Sequence, residues 1–187
     1  MKKIVYVDMD GVVADFDSEM QKLLPDVHLG EGDPSTYAER SKAVDKAMQE
    51  NPRLFKNLLP IPNAQFGIYH LRNSELYDIY FLSTPVCLVP ESYMDKRIWL
   101  RENFGEWADK RLILTHRKDL CIGDYLIDDR FKNGTELFQG KHIHFGGEGF
   151  PDWISVIKYL IHDKREGIRD SSGDGQEVDG LTSLQGS

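Results

Sequence analysis

The sequence has few cysteines, no long apolar run and a shortage of positive charge. Cys87 and Cys121 are the only two cysteines among 187 residues. They lie far apart without metal-binding spacing, so we expect two reduced thiols in a cytoplasmic protein. No apolar run approaches the length of a membrane span, and the opening MKKIVYVD lacks the length and cleavage site of a signal peptide. We therefore expect no membrane association.

The balance of charge excludes one large class of function. Lys and Arg number 23 against 31 Asp and Glu, which gives a formal net charge of -8 at pH 7. Proteins that bind a nucleic acid polymer need clustered basic residues to neutralise the phosphate backbone. We therefore expect no nucleic acid polymer as partner. If the ligand is a small anion, its countercharge must be local.

Short β-branched and aromatic segments alternate with segments of helical periodicity along the chain. This alternation predicts an α/β fold, a doubly wound parallel sheet with helices on both faces. The predicted strands are Lys3–Val7, Tyr77–Leu82, Arg111–Thr115, Tyr125–Ile127 and His142–Phe145. In such sheets, ligands bind at the carboxyl ends of the strands.

The composition changes twice along the chain. Residues 17–60 are dominated by charged and polar residues and punctuated by prolines, which indicates a small helical cap inserted after the first strand. Residues 1–16 and 61–165 then form the core domain. Residues 166–187 are rich in Gly, Ser and Asp with few large apolar side chains, so we expect a flexible tail.

Polar and charged side chains follow four of the predicted strands. Because parallel strands end at the same edge of a sheet, we expect these side chains to lie close together. Several carboxylates at one edge repel each other, and a hard divalent cation such as Mg²⁺ resolves that repulsion together with a substrate phosphate. The set comprises Asp8, Asp10, Ser83, Thr84, Lys118, Asp128 and Asp129.

Four segments carry a family resemblance. In order, DMDGVVADF, FLSTP, THRK and DYLIDDR resemble the four motifs of the haloacid dehalogenase superfamily of phosphatases. More narrowly, the Val-Val-Ala-Asp-Phe continuation, the run Pro60-Ile61-Pro62 and Leu-Ile-Asp-Asp-Arg resemble the cytosolic and mitochondrial 5′(3′)-deoxyribonucleotidases. The resemblance covers about residues 4–145 and is faint in the cap.

The resemblance implies a role for each motif residue. Asp8 would be the nucleophile that forms an aspartyl-phosphate, and Asp10 the general acid and base. Mg²⁺ would be held by Asp8, by Asp10 through its main-chain carbonyl, and by Asp129. The phosphate would be bound by Ser83, with Thr84 as helper, and by Lys118.

For several further residues, the sequence leaves open whether their role is functional or structural. Phe16 and Phe55 match positions near the substrate base in the deoxyribonucleotidases, but either can equally pack between cap and core. Lys96 lies on a predicted helix, where the favoured interpretation is a solvated side chain. Cys87 borders the site, yet the sequence indicates no basic neighbour that would activate its thiol, and His116 is interpreted as a polar loop residue.

These observations favour a magnesium-dependent phosphomonoesterase that acts on a small-molecule substrate, a (deoxy)nucleoside monophosphate. The same chemistry on another small phosphate, such as a sugar phosphate, is the first alternative, because specificity in this superfamily resides in the cap. A phosphorylatable signalling module of the receiver type is the second, although its acidic pair would end the first strand. A homodimer stays open as the assembly.

Overall fold

The computed structural model describes residues 1–28 and 37–169, with side chains described as far as residue 161. Contacts within the chain define one unit, Met1–Ile157, and a second, Lys158–Ser187. The first unit holds the whole sheet. The second, in its described part, is the continuation of a single helix. Within the described ranges, no helix combines the length and the apolar character that crossing a membrane requires.

The sheet has five parallel strands in the order β3-β2-β1-β4-β5. Its register places Val5 of the central strand beside Ile79 on one side and Tyr125 on the other. The predicted α/β fold with a parallel sheet is therefore confirmed, and no strand end differs from its predicted position by more than one residue. The strands are β1 (Lys3–Val7), β2 (Tyr77–Ser83), β3 (Leu112–Leu114), β4 (Tyr125–Asp128) and β5 (Lys141–His144).

Within the described residues, five α-helices accompany the strands, and two of them come between β1 and β2 before the first crossover helix. The helices are α1 (Phe16–Leu23), α2 (Tyr37–Glu50), α3 (Ala64–Asn73), α4 (Glu91–Phe104) and α5 (Trp153–Arg169). Helices α1 and α2 lie in the predicted insertion 17–60, whose residues 29–36 are outside the described part. The predicted tail 166–187 overlaps the last residues of α5, and residues 170–187 lie outside the described residues. Both boundaries stay predictions.

The central strands are apolar on both faces, as expected for a parallel sheet covered by helices. Val5 and Val7 have no exposed surface, and neither do Leu82 and Leu126. Tyr6, Leu82, Leu126 and Phe138 form a buried cluster. Because side chains alternate along a strand, Val5 and Val7 serve the opposite face from Tyr6. Burial of both faces fixes the register of β1, and with it the position of the acidic segment that follows.

Two buried tryptophans hold the loops around the end of β1. The indole Nε1 of Trp153 donates to the carbonyl of Val12 at 2.8 Å, and that of Trp99 donates to the carbonyl of Leu58 at 2.8 Å. Gly67 lets the Trp153 ring approach, because a Cβ at this position would lie 2.3 Å from it. Trp153 thus anchors the loop that carries the acidic segment, and Trp99 anchors the segment at Leu58, whose neighbours Leu59 and Ile61 bond to the backbone of that loop.

Candidate active site

The acidic segment after β1 turns sharply before α1 begins. The carbonyl of Met9 accepts from the backbone N–H groups of Val12, Val13 and Ala14. Gly11 has a φ of 79° and lies against Asp129, whose carboxylate oxygen would be 2.4 Å from a Cβ at this position. Only glycine meets both requirements without strain. The turn therefore brings Asp8 and Asp10 beside the end of β4.

Three carboxylates meet at the carboxyl edge of the sheet, as predicted. Asp8, Asp128 and Asp129 each offer an oxygen, and these atoms lie within 4.8 Å of one another. Burial, and after it the charge of Asp8, raises the pKa of Asp128 to about 6. Burial also raises the pKa of Asp129 to about 7, although the charge of Arg130 acts in the opposite direction. Carboxylates this close disfavour one another's ionised form. A divalent cation would remove that penalty, so the donor set fits one.

The hydrogen bonds separate the two members of the acidic pair. Asp128 is saturated: its Oδ2 accepts from Lys118 Nζ and from Thr135 Oγ1, and its Oδ1 accepts from the backbone N–H of Arg130. Asp8 Oδ1 and Asp129 Oδ1 have no hydrogen-bond partner within the described residues. Unpartnered buried carboxylate oxygens need an explanation, and a metal ion provides one. The geometry therefore favours Asp8 and Asp129 over Asp128 as ligands.

Two histidines on β5 contact the main chain of the acidic pair, Asp128 and Asp129. His142 Nε2 lies 3.1 Å from the carbonyl oxygen of Asp128, and His144 Nε2 lies 3.1 Å from that of Asp129. A carbonyl oxygen only accepts, so each Nε2 must carry the proton. The ring of Phe131 contacts both imidazoles, at centroid distances of 4.8 and 4.6 Å. The main chain of the acidic pair is thereby held in place.

Lys118 contacts the nucleophile candidate directly. Its Nζ lies 3.1 Å from Asp8 Oδ2 and also bonds Asp128. Burial alone would lower the pKa of Lys118, but the charges of Asp8 and Asp128 outweigh it and raise that pKa. The ammonium group therefore stays charged. This is the local positive charge that the overall composition does not supply.

The interpretation of Lys96 as a solvated helical side chain is wrong. It has no exposed surface, and its Nζ lies 2.5 Å from Asp10 Oδ2 and 3.1 Å from Ser83 Oγ. Its Nζ also lies 4.6 Å from the ring centroid of Phe55. The inward face of α4 is formed at helical spacing by Ser92, Asp95, Lys96, Trp99 and Leu100. Since three of these five residues are polar or charged, hydrophobic periodicity could not reveal the buried face.

Asp10 is the second carboxylate of the turn. Burial, together with the neighbouring charge of Asp8, raises its pKa, while Lys96 acts in the opposite direction. Lys96 holds the Oδ2 of Asp10, whereas its Oδ1 has no partner within the described residues. A carboxyl group with an elevated pKa and one free oxygen can carry a proton to and from a ligand.

The two hydroxyl residues at the end of β2 have different environments. Ser83 is fully buried and its Oγ accepts from Lys96. Thr84 lines the adjoining pocket, and its Oγ1 donates to the carbonyl of Thr115 at 3.0 Å. Both side chains lie beside the carboxylates, as the sequence predicts, but only Thr84 is among the residues that line the pocket.

The pocket beside these residues has a volume of about 230 Å³. Phe16 and Phe55 both line it and stack on each other, with ring centroids 5.8 Å apart and an interplanar angle of 15°. They are 7% and 2% exposed, so packing accounts for most of their surface. One wall comes from α2. Residues of the pocket to which the sequence assigned no role are Ser41, Val44, Asp45, Met48, Pro85, Val86, Arg130, Lys132 and Asn133.

Among these, Arg130 could have been recognised because it directly follows the acidic pair. Its Nε lies 3.1 Å from Asp129 Oδ2, and its terminal nitrogen lies 3.3 Å from Asp17. The α2 residues carry a fainter signal, since 41, 44, 45 and 48 share one helical face. Which face of a polar helix turns inward is a matter of packing.

Cys87 has a basic neighbour, contrary to the interpretation from sequence. Its Sγ lies 3.3 Å from His116 Nε2, although 29 positions separate the two residues. The thiol is exposed, and both cysteines are free, as predicted. Spacing along the chain could not indicate this contact, because it joins the segments after β2 and β3.

The fold has counterparts among solved structures. A provisionally named HAD hydrolase from Bacillus subtilis, bound to magnesium, has a TM-score of 0.58 at 12% identity, covering 85% of this chain and 98% of that one. A haloacid dehalogenase-like hydrolase from Xanthomonas campestris has a TM-score of 0.57 at 9% identity, covering 90% and 98%. The fold is that of the haloacid dehalogenase-like hydrolases.

The family model for 5′ nucleotidase, deoxy (pyrimidine), cytosolic type C, matches residues 2–149. A Vibrio phage KVP40 protein with the provisional name of a 5′(3′)-deoxyribonucleotidase is 40% identical over 164 residues, 88% of each chain. The human 5′(3′)-deoxyribonucleotidase, cytosolic type, is 26% identical over 174 residues, 86% of this chain and 81% of that one. The chain belongs to the cytosolic type C 5′-nucleotidase family.

Family membership confirms the resemblance read from the motifs and the prediction of a phosphatase. It decides against the receiver-type module. The roles of the individual site residues stay predictions, supported by the geometry.

Proposed function

We propose that this chain is a magnesium-dependent phosphatase that hydrolyses deoxyribonucleoside monophosphates through an aspartyl-phosphate on Asp8. The observation that carries the proposal is the pairing of each reactive carboxylate with its own buried lysine. Asp8 contacts Lys118 at 3.1 Å, and Asp10 contacts Lys96 at 2.5 Å. Two carboxylates two residues apart thereby have separate environments, as separate roles in acid–base and nucleophilic chemistry require.

In the first step, an oxygen of Asp8 attacks phosphorus as the bond to the leaving nucleoside oxygen breaks. Asp10, whose pKa burial raises, donates the proton that the leaving oxygen needs. Lys118 stays charged and offsets the negative charge that builds up on the transferring phosphoryl group. Thr84, which lines the pocket, and Ser83, whose buried Oγ accepts from Lys96, would support the phosphate oxygens.

In the second step, Asp10 takes a proton from water, and the resulting hydroxide attacks the phosphorus of the aspartyl-phosphate. The bond between phosphorus and Asp8 breaks, which releases phosphate and restores the carboxylate. Lys96 keeps the Asp10 side chain in one position during both proton transfers. The buried Lys96 Nζ holds one oxygen of Asp10, and the other has no partner within the described residues, which leaves it for the proton transfers.

Asp8, Asp129 and the main-chain carbonyl of Asp10 would hold Mg²⁺. When bound there, the ion supplies positive charge that screens the approach of an anionic phosphate to an anionic nucleophile. The unpartnered oxygens of Asp8 and Asp129 support this ligand set. The preference for Mg²⁺ rests on an all-oxygen donor set with few carboxylates.

The names of the relatives and the pocket support the nucleotide part of the proposal. A cavity of about 230 Å³ suits a compact ligand, and Val44 and Met48 add apolar surface for a flat base. The name of the human relative and the free cysteines also support action in the cytoplasm. A homodimer stays a prediction.

Phosphate release from deoxyribonucleoside monophosphates, ribonucleoside monophosphates and sugar phosphates tests the proposal, with Mg²⁺ and with a chelator. We expect metal-dependent release that is fastest with the deoxyribonucleotides. Faster release from sugar phosphates would keep the mechanism and replace the substrate. Equal release in the presence of chelator would contradict the metal requirement.

A further inference from the structure

Asp95 is a buried carboxylate that directly precedes Lys96 on α4, and its side chain has no exposed surface. Arg53 reaches it from the predicted insertion 17–60. The Nε of Arg53 donates to Asp95 Oδ2 at 3.0 Å, and a terminal nitrogen of Arg53 lies 2.7 Å from Asp95 Oδ1. Leaving a buried carboxylate without its partner is costly, so this ion pair holds Arg53 at one place on α4.

The chain that follows Arg53 stays against α4. Phe55 is buried, and its ring centroid lies 4.6 Å from Lys96 Nζ. Three residues later, the carbonyl of Leu58 accepts from the indole Nε1 of Trp99 at 2.8 Å. Arg53 therefore begins a stretch of chain that contacts the buried face of α4 at three points.

The middle contact, between Phe55 and Lys96, connects this stretch with the reaction centre. Lys96 Nζ lies 2.5 Å from Asp10 Oδ2 and 3.1 Å from Ser83 Oγ. The face of an aromatic ring attracts a cation, so the ring of Phe55 also holds the ammonium group. A movement of Phe55 away from α4 would remove one of the contacts that keep Lys96 beside Asp10.

Resting on the phosphatase function proposed above, we propose that Arg53 is a positioning residue for the proton transfer to the leaving group. Its ion pair with Asp95 keeps the following stretch of chain on α4. Phe55 then stays against Lys96, which holds Asp10 for the proton transfer. The Arg53 side chain is 47% exposed and is not among the residues that line the pocket. Its effect on the reaction therefore passes through Lys96.

Arg53→Met and Asp95→Asn test the proposal, because each breaks the ion pair. Asp95→Asn leaves no buried charge, so its folding does not depend on accommodating an unpaired carboxylate. Thymidine 5′-monophosphate has a leaving oxygen that needs a proton, whereas the phenolate that leaves p-nitrophenyl phosphate needs none. We expect kcat/KM for the nucleotide to fall about tenfold in both variants, part of the contribution of acid–base catalysis, and kcat/KM for the aryl phosphate to change by less than about twofold.

The same changes in a Lys96→Met background separate positioning from stability. There, breaking the pair of Arg53 and Asp95 should lower kcat/KM for the nucleotide no further, because the residue through which Arg53 acts is already absent. Arg53→Lys keeps an ion-pair donor and should retain most of the activity. Arg97→Met is the matched control on the same helix, since this half-exposed arginine pairs with Asp109 at 3.7 Å instead. It should leave both substrates unaffected.

Equal losses for the nucleotide and the aryl phosphate would overturn the inference and leave the phosphatase function standing. So would equal losses in the presence and in the absence of Lys96, or wild-type rates in both Arg53→Met and Asp95→Asn. An absence of phosphate release from both substrates with the wild-type protein would instead contradict the phosphatase function itself.

Discussion

The carboxyl edge of the sheet and the α2 wall enclose the same pocket but differ in how their polar groups are satisfied. At the sheet edge, buried charges occur in contact with opposite charges, and Lys118 bridges two carboxylates. On α2, Ser41 and Asp45 face the pocket without a side-chain partner among the described residues. The edge also rests on buried strands, whereas α2 exposes much of its surface.

This difference separates chemistry from selectivity. Groups that transfer a phosphoryl group must be held accurately before the substrate arrives, and paired buried charges provide that rigidity. Groups that recognise the leaving group, such as polar side chains on the α2 wall, would form their hydrogen bonds only when the ligand binds. Substitutions at the edge should therefore change rates for every substrate, and substitutions on α2 should change the ratio between substrates.

The largest effect is expected for Asp8→Asn. Removing the nucleophile should lower phosphate release from every substrate by at least about a thousandfold, since losing a nucleophile in covalent catalysis costs up to about 10⁶-fold. The melting temperature should stay equal or rise, because one of three crowded carboxylates is neutralised. Steady-state kinetics and circular dichroism measure both. Activity close to that of the wild type would contradict the covalent mechanism.

Lys96→Met should come next. The change leaves the Asp10 carboxylate without its counterion, so we expect kcat to fall by about a hundredfold for all substrates, on the scale of acid–base catalysis. The free energy of unfolding should fall by about 2 kcal/mol because a buried charge loses its partner.

Combining Lys96→Met with Asp10→Asn provides the control for stability. The double variant should recover part of the lost free energy of unfolding, because no unpaired carboxylate remains. Urea denaturation of the four proteins measures this. Strictly additive losses would indicate that Lys96 stabilises α4 by packing alone, without acting on Asp10.

His144→Phe should have a smaller effect that is specific to the metal. The change removes the imidazole N–H that donates to the Asp129 carbonyl. The Mg²⁺ concentration for half-maximal activity should therefore rise about tenfold, the scale expected when a hydrogen-bond partner of a metal ligand is removed. His144→Gln keeps an N–H donor and should lie closer to the wild type. A changed KM for nucleotide at saturating Mg²⁺, with an unchanged Mg²⁺ requirement, would argue against this role.

The smallest expected effect is a pH dependence of stability. Burial raises the pKa of Asp128 to about 6 and that of Asp129 to about 7. Carboxyl groups with a raised folded-state pKa stabilise the protein below their unfolded pKa, and this contribution is lost as the pH rises through the folded value. Without metal, the melting temperature should therefore fall as the pH rises from about 5 to about 8.

Mg²⁺ binds the ionised carboxylates, so its stabilising effect should grow over the same pH range. Thermal unfolding with Mg²⁺ and with chelator, at each pH, measures the difference. Asp129→Asn is the matched variant, and it should reduce both trends. A gain from Mg²⁺ that is independent of pH would contradict the assignment of these carboxylates.

Much of the fold and the reaction edge could be predicted from the sequence. Buried parallel strands are short, apolar runs, and the polar residues that end them must meet at one edge. The grouping of Asp8, Ser83 and Asp129 follows from this rule alone. The environment of Lys96 and the contact between Cys87 and His116 do not, because both depend on how separate segments pack.

The sequence alone determined the order of strands and helices, the acidic edge and the family, since each depends on local pattern or on contiguous motifs. Only the tertiary structure decided that Lys96 is buried against Asp10, that Asp128 is saturated while Asp129 is not, and that Asp45 faces the pocket. The physical reason is common to all three. A polar side chain carries no periodic signal of burial, so its environment is set by the elements that pack around it.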